Sequence, residues 1–117
     1  MDLDVVDPPC LQRFWFRIFG DQLVLSAHMR SNDAFKAAFM NIFALTHLQQ
    51  QIAERVTELS GRPVAVGRYA HVADSYHIYG SNLAEFEGRF LGAIEKRTFE
   101  QRTMRYEDVR DMMEEAR

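Results

Sequence analysis

From Leu11 to Phe19 the chain is dominated by aromatic and apolar residues, with Phe14, Phe16 and Ile18 on one side of an extended backbone and Trp15, Arg17 and Phe19 on the other. That pattern predicts a strand over 11–19 with both faces mostly covered. The run 20–22, Gly-Asp-Gln, reads as a turn. Residues 23–29 then alternate Leu23, Leu25, Ala27 and Met29 against Val24, Ser26 and His28, so the two strands are expected to pair as a hairpin. Beyond the polar Arg30-Ser31-Asn32-Asp33 the period lengthens. Phe39, Ile42, Phe43, Leu45, Leu48, Ile52, Val56 and Leu59 recur at helical spacing and predict a long buried helix over 38–60. Ser60-Gly61-Arg62-Pro63 stops it, and 64–73 reads as a third strand. A helix over 82–96, carrying Leu83, Phe86, Phe90 and Ile94, and a more polar one over 106–116 complete the expected set. The expectation is an α+β fold, an antiparallel or mixed sheet of at least three strands packed on the long helix, in a single domain spanning residues 1–117.

Composition narrows the function classes. The 117 residues are 47% hydrophobic and 26% charged, enough for one ordinary core. A single cysteine, Cys10, rules out an intramolecular disulfide, and no Cys/His cluster has zinc spacing, so no metal is expected and a reducing, cytoplasmic setting is. The acidic first residues do not resemble a signal peptide, and no run reaches the ~18 apolar residues of a membrane span. A net charge of −3 argues against a nucleic-acid surface while leaving room for a local cationic pocket.

The chemistry-bearing residues follow an order. Cys10 stands behind two prolines, Arg30, Ser31 and Asp33 come twenty residues later, Asn41 lies eleven beyond Arg30, and His77-Ile78-Tyr79 follows the third strand. If the hairpin forms, Cys10 before its first strand and Arg30 and Ser31 at the end of its second come together, with Asp33 in the next loop. Taken one at a time these residues have ordinary readings: a small buried thiol, helix-entry caps at Ser31 and Asp33, edge-strand polar tips at His77 and Tyr79. His28, His47 and His71 read as structural.

Taken together, the Pro-Cys pair, the Arg-Ser-x-Asp motif, the Asn and the His-Ile-Tyr motif resemble the thymidylate synthase family in order and in the first two spacings. The resemblance covers roughly residues 8 to 95. It implies that this chain corresponds to the C-terminal part of the family's catalytic domain, the family's N-terminal half being unmatched. There are departures: Leu11 replaces the common His after the nucleophile, Met29 replaces the Gln before Arg-Ser, and Asp74 lies three residues before the His rather than two.

By that resemblance the activity is folate-dependent one-carbon transfer to C5 of a pyrimidine deoxynucleoside monophosphate, dUMP to dTMP, with 5,10-methylenetetrahydrofolate as co-substrate. C5 of the pyrimidine is not nucleophilic until something adds at C6, and a thiolate can add and later leave, which is the role of Cys10. Arg30 and Ser31 bind the phosphate, and a neighbouring cation also favours the thiolate. Asn41 offers both a donor and an acceptor to the N3–H and O4 edge of uracil. His77 and Tyr79 hold a sugar hydroxyl, and Asp33 faces the folate and orders the site. Pyrimidine hydroxymethylation is the alternative chemistry, and a noncatalytic nucleotide-binding or assembly subunit the alternative class. The resemblance further implies a homodimer, or completion by an N-terminal half or partner chain, with no nucleic acid and no membrane involved.

Overall fold

A computed structural model describes residues 8–115, which divide into two compact units, one up to Tyr79 and one from Gly80 onward. The first is an α+β unit built on a three-stranded mixed sheet. Strand β1 (Leu11–Phe19) turns through Gly20 into β2 (Gln22–Asp33), which it pairs antiparallel. From there the chain enters helix α1 (Ala38–Ser60) and returns as β3 (Ala65–His77), which pairs parallel to β2 on its other side. Such a parallel return needs a crossover element, and α1 supplies it. Its stop is encoded by Gly61, whose φ of 67° is the left-handed conformation that caps a helix by turning its N–H onto the Thr57 carbonyl, 3.0 Å away.

The core lies between the sheet and α1. Leu23, Leu25, Ala27 and Met29 alternate inward along β2 and are almost fully buried, as a central strand's covered face requires. The long helix is only half-buried. Ala38, Gln49 and Ala53 are its buried residues, whereas Phe39 and Leu59 are 63% and 72% exposed. It packs against β2 and β3, with Ile42, Leu45, Ile52 and Val56 of the apolar stripe half-buried beside the buried residues and the two ends of the stripe left exposed. The covered face carries small residues and one amide, which let the helix backbone come close to the strands.

Gln49 explains that close approach. In the register of β2 with β3, Leu23 faces Val66 but Leu25 faces Tyr69, so β3 carries an extra residue at this point. The bulge turns carbonyls out of the ladder, and Gln49 Nε2 donates to the oxygens of Leu23 (2.8 Å), Arg68 (3.2 Å) and Gly67 (3.3 Å). Gly67 makes the bulge possible: a Cβ there would lie 2.9 Å from the Leu23 oxygen and 3.0 Å from Gln22 Cβ. Gly67, a lone glycine inside a strand, is the bulge's local trace in the sequence, whereas the amide plug at Gln49 has none.

Strand β1 was expected to be covered on both faces. Instead Trp15, Ile18 and Phe19 are exposed, and Phe14 and Phe16 are half-buried, because β1 is an edge strand beyond the reach of α1. In the second unit the expected helix over 82–96 is present as one continuous helical run, α2 (Leu83–Glu85), a π-helical segment at Phe86–Leu91 and α3 (Gly92–Lys96), entered through a 3₁₀ turn at Gly80–Asn82; the π segment is what the periodicity did not predict. Phe86 and Phe90 stack across the π segment at 5.3 Å. A further helix, α4 (Phe99–Arg102), is set by a capping box of Thr98 and Gln101, and α5 (Tyr106–Glu115) follows. Among the described residues no helix is long and apolar enough to cross a membrane.

Candidate functional site

Where β2 leaves the core, its polar end does not loop away as the sequence suggested. Arg30, Ser31, Asn32 and Asp33 remain strand, because β3 also runs on to His77 and pairs with them: Ser31 with Ser75, Asn32 with Tyr76 and Asp33 with His77. Asp33 is therefore the last residue of β2, and the carboxyl ends of two parallel strands lie side by side, the position where α/β sheets commonly hold ligands.

Cys10 joins this end from β1's side. The Arg30 N–H donates to the Cys10 carbonyl at 2.7 Å, which fixes the start of β1 against β2, and Cys10 Sγ lies 3.4 Å from Ser31 Oγ. The thiol is exposed. Arg30 Nη2 donates to the Pro8 carbonyl at 3.0 Å, so the proline pair positions the guanidinium as well as the thiol. Asp33 Oδ1 accepts from the N–H groups of Phe35 (2.9 Å) and Lys36 (3.0 Å), closing the turn that launches α1. Those bonds, the one from Lys36 foremost, hold its carboxyl below the usual carboxylate range, and the nearby His77 adds to the effect. His77 Nδ1 is 3.1 Å from Ser75 Oγ, and its ring meets the exposed Tyr79 edge to face at 4.9 Å. Cys10, Arg30 and Ser31 are thus in direct contact, and Asp33 and His77 face each other in register.

Asn41 engages a different set. From the first turns of α1 its Nδ2 donates to Asn32 Oδ1 at 2.9 Å. Asn32 Nδ2 reaches His71 Nε2 at 2.9 Å, and His71 Nδ1 reaches Tyr69 Oη at 2.7 Å. Asn32 is 3% exposed and faces the helix, so the alternation of β2 slips by one position between Met29 and Asn32. Burial pushes the His71 pKa down and that of Tyr69 up. His71 also borders a cavity of about 360 Å³ with Ile42, Ala73 and Tyr76. The sequence reading passed over Asn32 and left His71 as structural; only the parallel pairing of two remote segments brings them together. On β2 and β3, His28 Nε2 and Asp74 Oδ1 pair at 2.8 Å.

Among the described residues no group of three or more His, Cys, Asp or Glu side chains could hold a metal ion. No family model, curated protein or solved structure matches the chain.

Proposed function

We propose that this end of the sheet binds a pyrimidine deoxynucleoside monophosphate and that Cys10 adds to C6 of its ring, the first step of one-carbon transfer to C5 from dUMP to dTMP. The observation that carries this reading is the contact of Cys10 Sγ with Ser31 Oγ, with Arg30 bonded to the same stretch of backbone. It puts a thiol, a hydroxyl and an arginine at one locus, group types suited to attack at C6 and to binding a phosphate. The remaining assignments follow the resemblance: Asn41 reads the base, His77 and Tyr79 hold the sugar, and Asp33 faces the folate and orders the site.

In this reading the thiolate attacks C6 and the ring electrons pass to C5, which becomes the carbon nucleophile. Methylenetetrahydrofolate, whose involvement rests on the resemblance alone, would supply the carbon and the hydride that end as the methyl group, being itself oxidised to dihydrofolate. Loss of the C5 proton and of the thiolate from C6 restores the aromatic ring. The functional form is a homodimer that covers Trp15, Ile18 and Phe19 of β1, whose exposure in one chain leaves an apolar edge.

The test is exchange of the C5 hydrogen of dUMP with solvent, which requires addition at C6, uptake of a solvent proton and loss of the original one at C5, and reversal of the addition, without any one-carbon donor. Cys10→Ser is expected to abolish exchange while dUMP binding survives, and exchange retained by the variant removes Cys10 from this role. Arg30→Ala should weaken binding of dUMP more than that of deoxyuridine, since a charge-assisted contact contributes about 1.5–3 kcal/mol. Equal weakening of both would contradict the phosphate assignment.

A further inference from the structure

The second unit holds a cavity of about 400 Å³ whose apolar walls are Phe90 from the π segment, Ala93 and Ile94 from α3, and Phe99 from α4. The backbone explains its shape. A π turn is a costly departure from α geometry that is kept mostly at functional sites, and here it sets the Phe90 ring against that of Phe86, stacked at 5.3 Å with an interplanar angle of 23°. After α3 the chain becomes extended at Arg97 and Thr98, and the capping box of Thr98 and Gln101 starts α4 at once, so the end of one helix and the start of the next border the same space. A closed core would draw these rings inward. Instead Phe90 is 44% and Phe99 67% exposed, and the cavity opens to solvent between them.

Two cations border the same space, Arg97 and Arg102. Arg102 Nε donates to the Thr98 carbonyl at 3.3 Å, which anchors the guanidinium; among the described residues its Nη groups and the whole Arg97 side chain have no hydrogen-bond or ionic partner. Neighbouring polar groups are engaged elsewhere. Glu100, between the two arginines in sequence, bonds the Thr98 side chain and its own N–H, and the Thr103 hydroxyl donates to the Phe99 carbonyl at 2.9 Å. We propose that the cavity binds a small carboxylic acid with an aliphatic body, its hydrocarbon lying against Phe90, Ile94 and Phe99 and its carboxylate on Arg97 and Arg102. A mainly apolar pocket with a few convergent polar groups is the usual form of a small-molecule site, and the guanidinium fork matches a carboxylate. An inorganic anion would leave the apolar walls wet, and a neutral hydrocarbon would leave the two cations unanswered. The site lies within the second unit and is independent of the chemistry proposed for the first.

Calorimetric titration of the full chain with hexanoate, octanoate, decanoate and 1-octanol tests this. Affinity should rise about fourfold with each methylene as more hydrocarbon is buried. Octanoate should bind about tenfold or more tightly than 1-octanol, the scale of a charge-assisted contact. In the double variant Arg97→Gln with Arg102→Gln, octanoate should fall to the level of the alcohol while the dependence on chain length persists, a split that general damage to the unit does not produce. Ile94→Trp, which fills the cavity, should remove binding of acid and alcohol alike. Absence of octanoate binding to the unsubstituted chain overturns the proposal, as does equal binding of acid and alcohol there. A preference for the acid that survives in the double variant, or octanoate binding kept in full by a folded Ile94→Trp chain, would put the carboxylate elsewhere and overturns it too.

Discussion

Helix α1 sends two buried or half-buried amides to the same sheet, and they are held in opposite ways. Gln49 meets three backbone carbonyls at the bulge, groups that can only accept, so only its NH₂ end can face them. Asn41 meets another amide, Asn32, which can present either end. The first is a fixed tie between helix and sheet. The second is linked through Asn32 to His71, whose two tautomers correspond to the two directions the chain of bonds can take. The same chemical group is therefore held in one orientation at one end of the unit and left reversible at the other, according to whether its partner can reverse.

The largest expected effect comes from forcing the fixed tie to reverse. Gln49→Glu sets a carboxylate against three carbonyl oxygens at a position with 0% exposure. An uncompensated buried charge of this kind costs about 3–5 kcal/mol, or the group takes up a proton and the cost appears as a strong pH dependence. Urea unfolding at neutral pH should show the loss; a midpoint near that of the unsubstituted chain would mean that the three carbonyls do not depend on Gln49. Next in size is Gly67→Ala. Its new Cβ would press on the Leu23 oxygen at 2.9 Å, and since that atom is backbone the bulge itself has to shift. Overpacking of this sort costs about 1–3 kcal/mol, and an unchanged unfolding midpoint would show that the bulge is not rigid.

Different parts of this arrangement were legible to different degrees. The spans of β1 and α1 could be read from the chain, since alternation, the helical period and the Gly61 stop are local signals. The contact of Cys10 with Ser31 could be anticipated too, because it follows once a hairpin is assumed. The polar ends of β2 and β3 could not. Arg30–Asp33 and Asp74–His77 look like loops until each is seen to be the other's strand partner, and parallel pairing across a helix leaves no local trace. Gln49, inside a run of three glutamines, looks like solvent-facing surface, and what buries it is a bulge in a strand that follows the helix. The burial of β1 was overestimated for the complementary reason: its aromatics state that something covers them, and not whether that cover belongs to this unit.

A smaller effect is expected at the switchable amide. Asn41→Asp makes the same change of amide to carboxylate as Gln49→Glu, but Asn32 can turn its NH₂ toward the new acceptor. The loss in stability should be about 1 kcal/mol or less, the scale of one exchanged hydrogen bond. A loss as large as that of Gln49→Glu would show that Asn32 cannot turn. The turn should also hold the His71 proton on Nε2, which the ¹⁵N shifts of its ring would report in a labelled sample.

The smallest effect is the titration of His71 itself. Its folded pKa lies below the ordinary value of 6.5 because burial disfavours the imidazolium. Between the unfolded and folded values the unfolded chain binds more protons, so stability rises with pH across that window. It is fully present above about pH 6.5 and is lost as pH falls through the folded pKa. The slope should be shallow, because the imidazolium does not break the chain of side chains: with Nε2 now a donor, Asn32 turns its Oδ1 to accept, and Asn41 turns in response. Unfolding midpoints from pH 5 to 8 in the unsubstituted chain and in His71→Gln should differ in slope by this amount alone. Were the two slopes equal, His71 would titrate alike in both states, and the buried environment that disfavours its imidazolium would be absent.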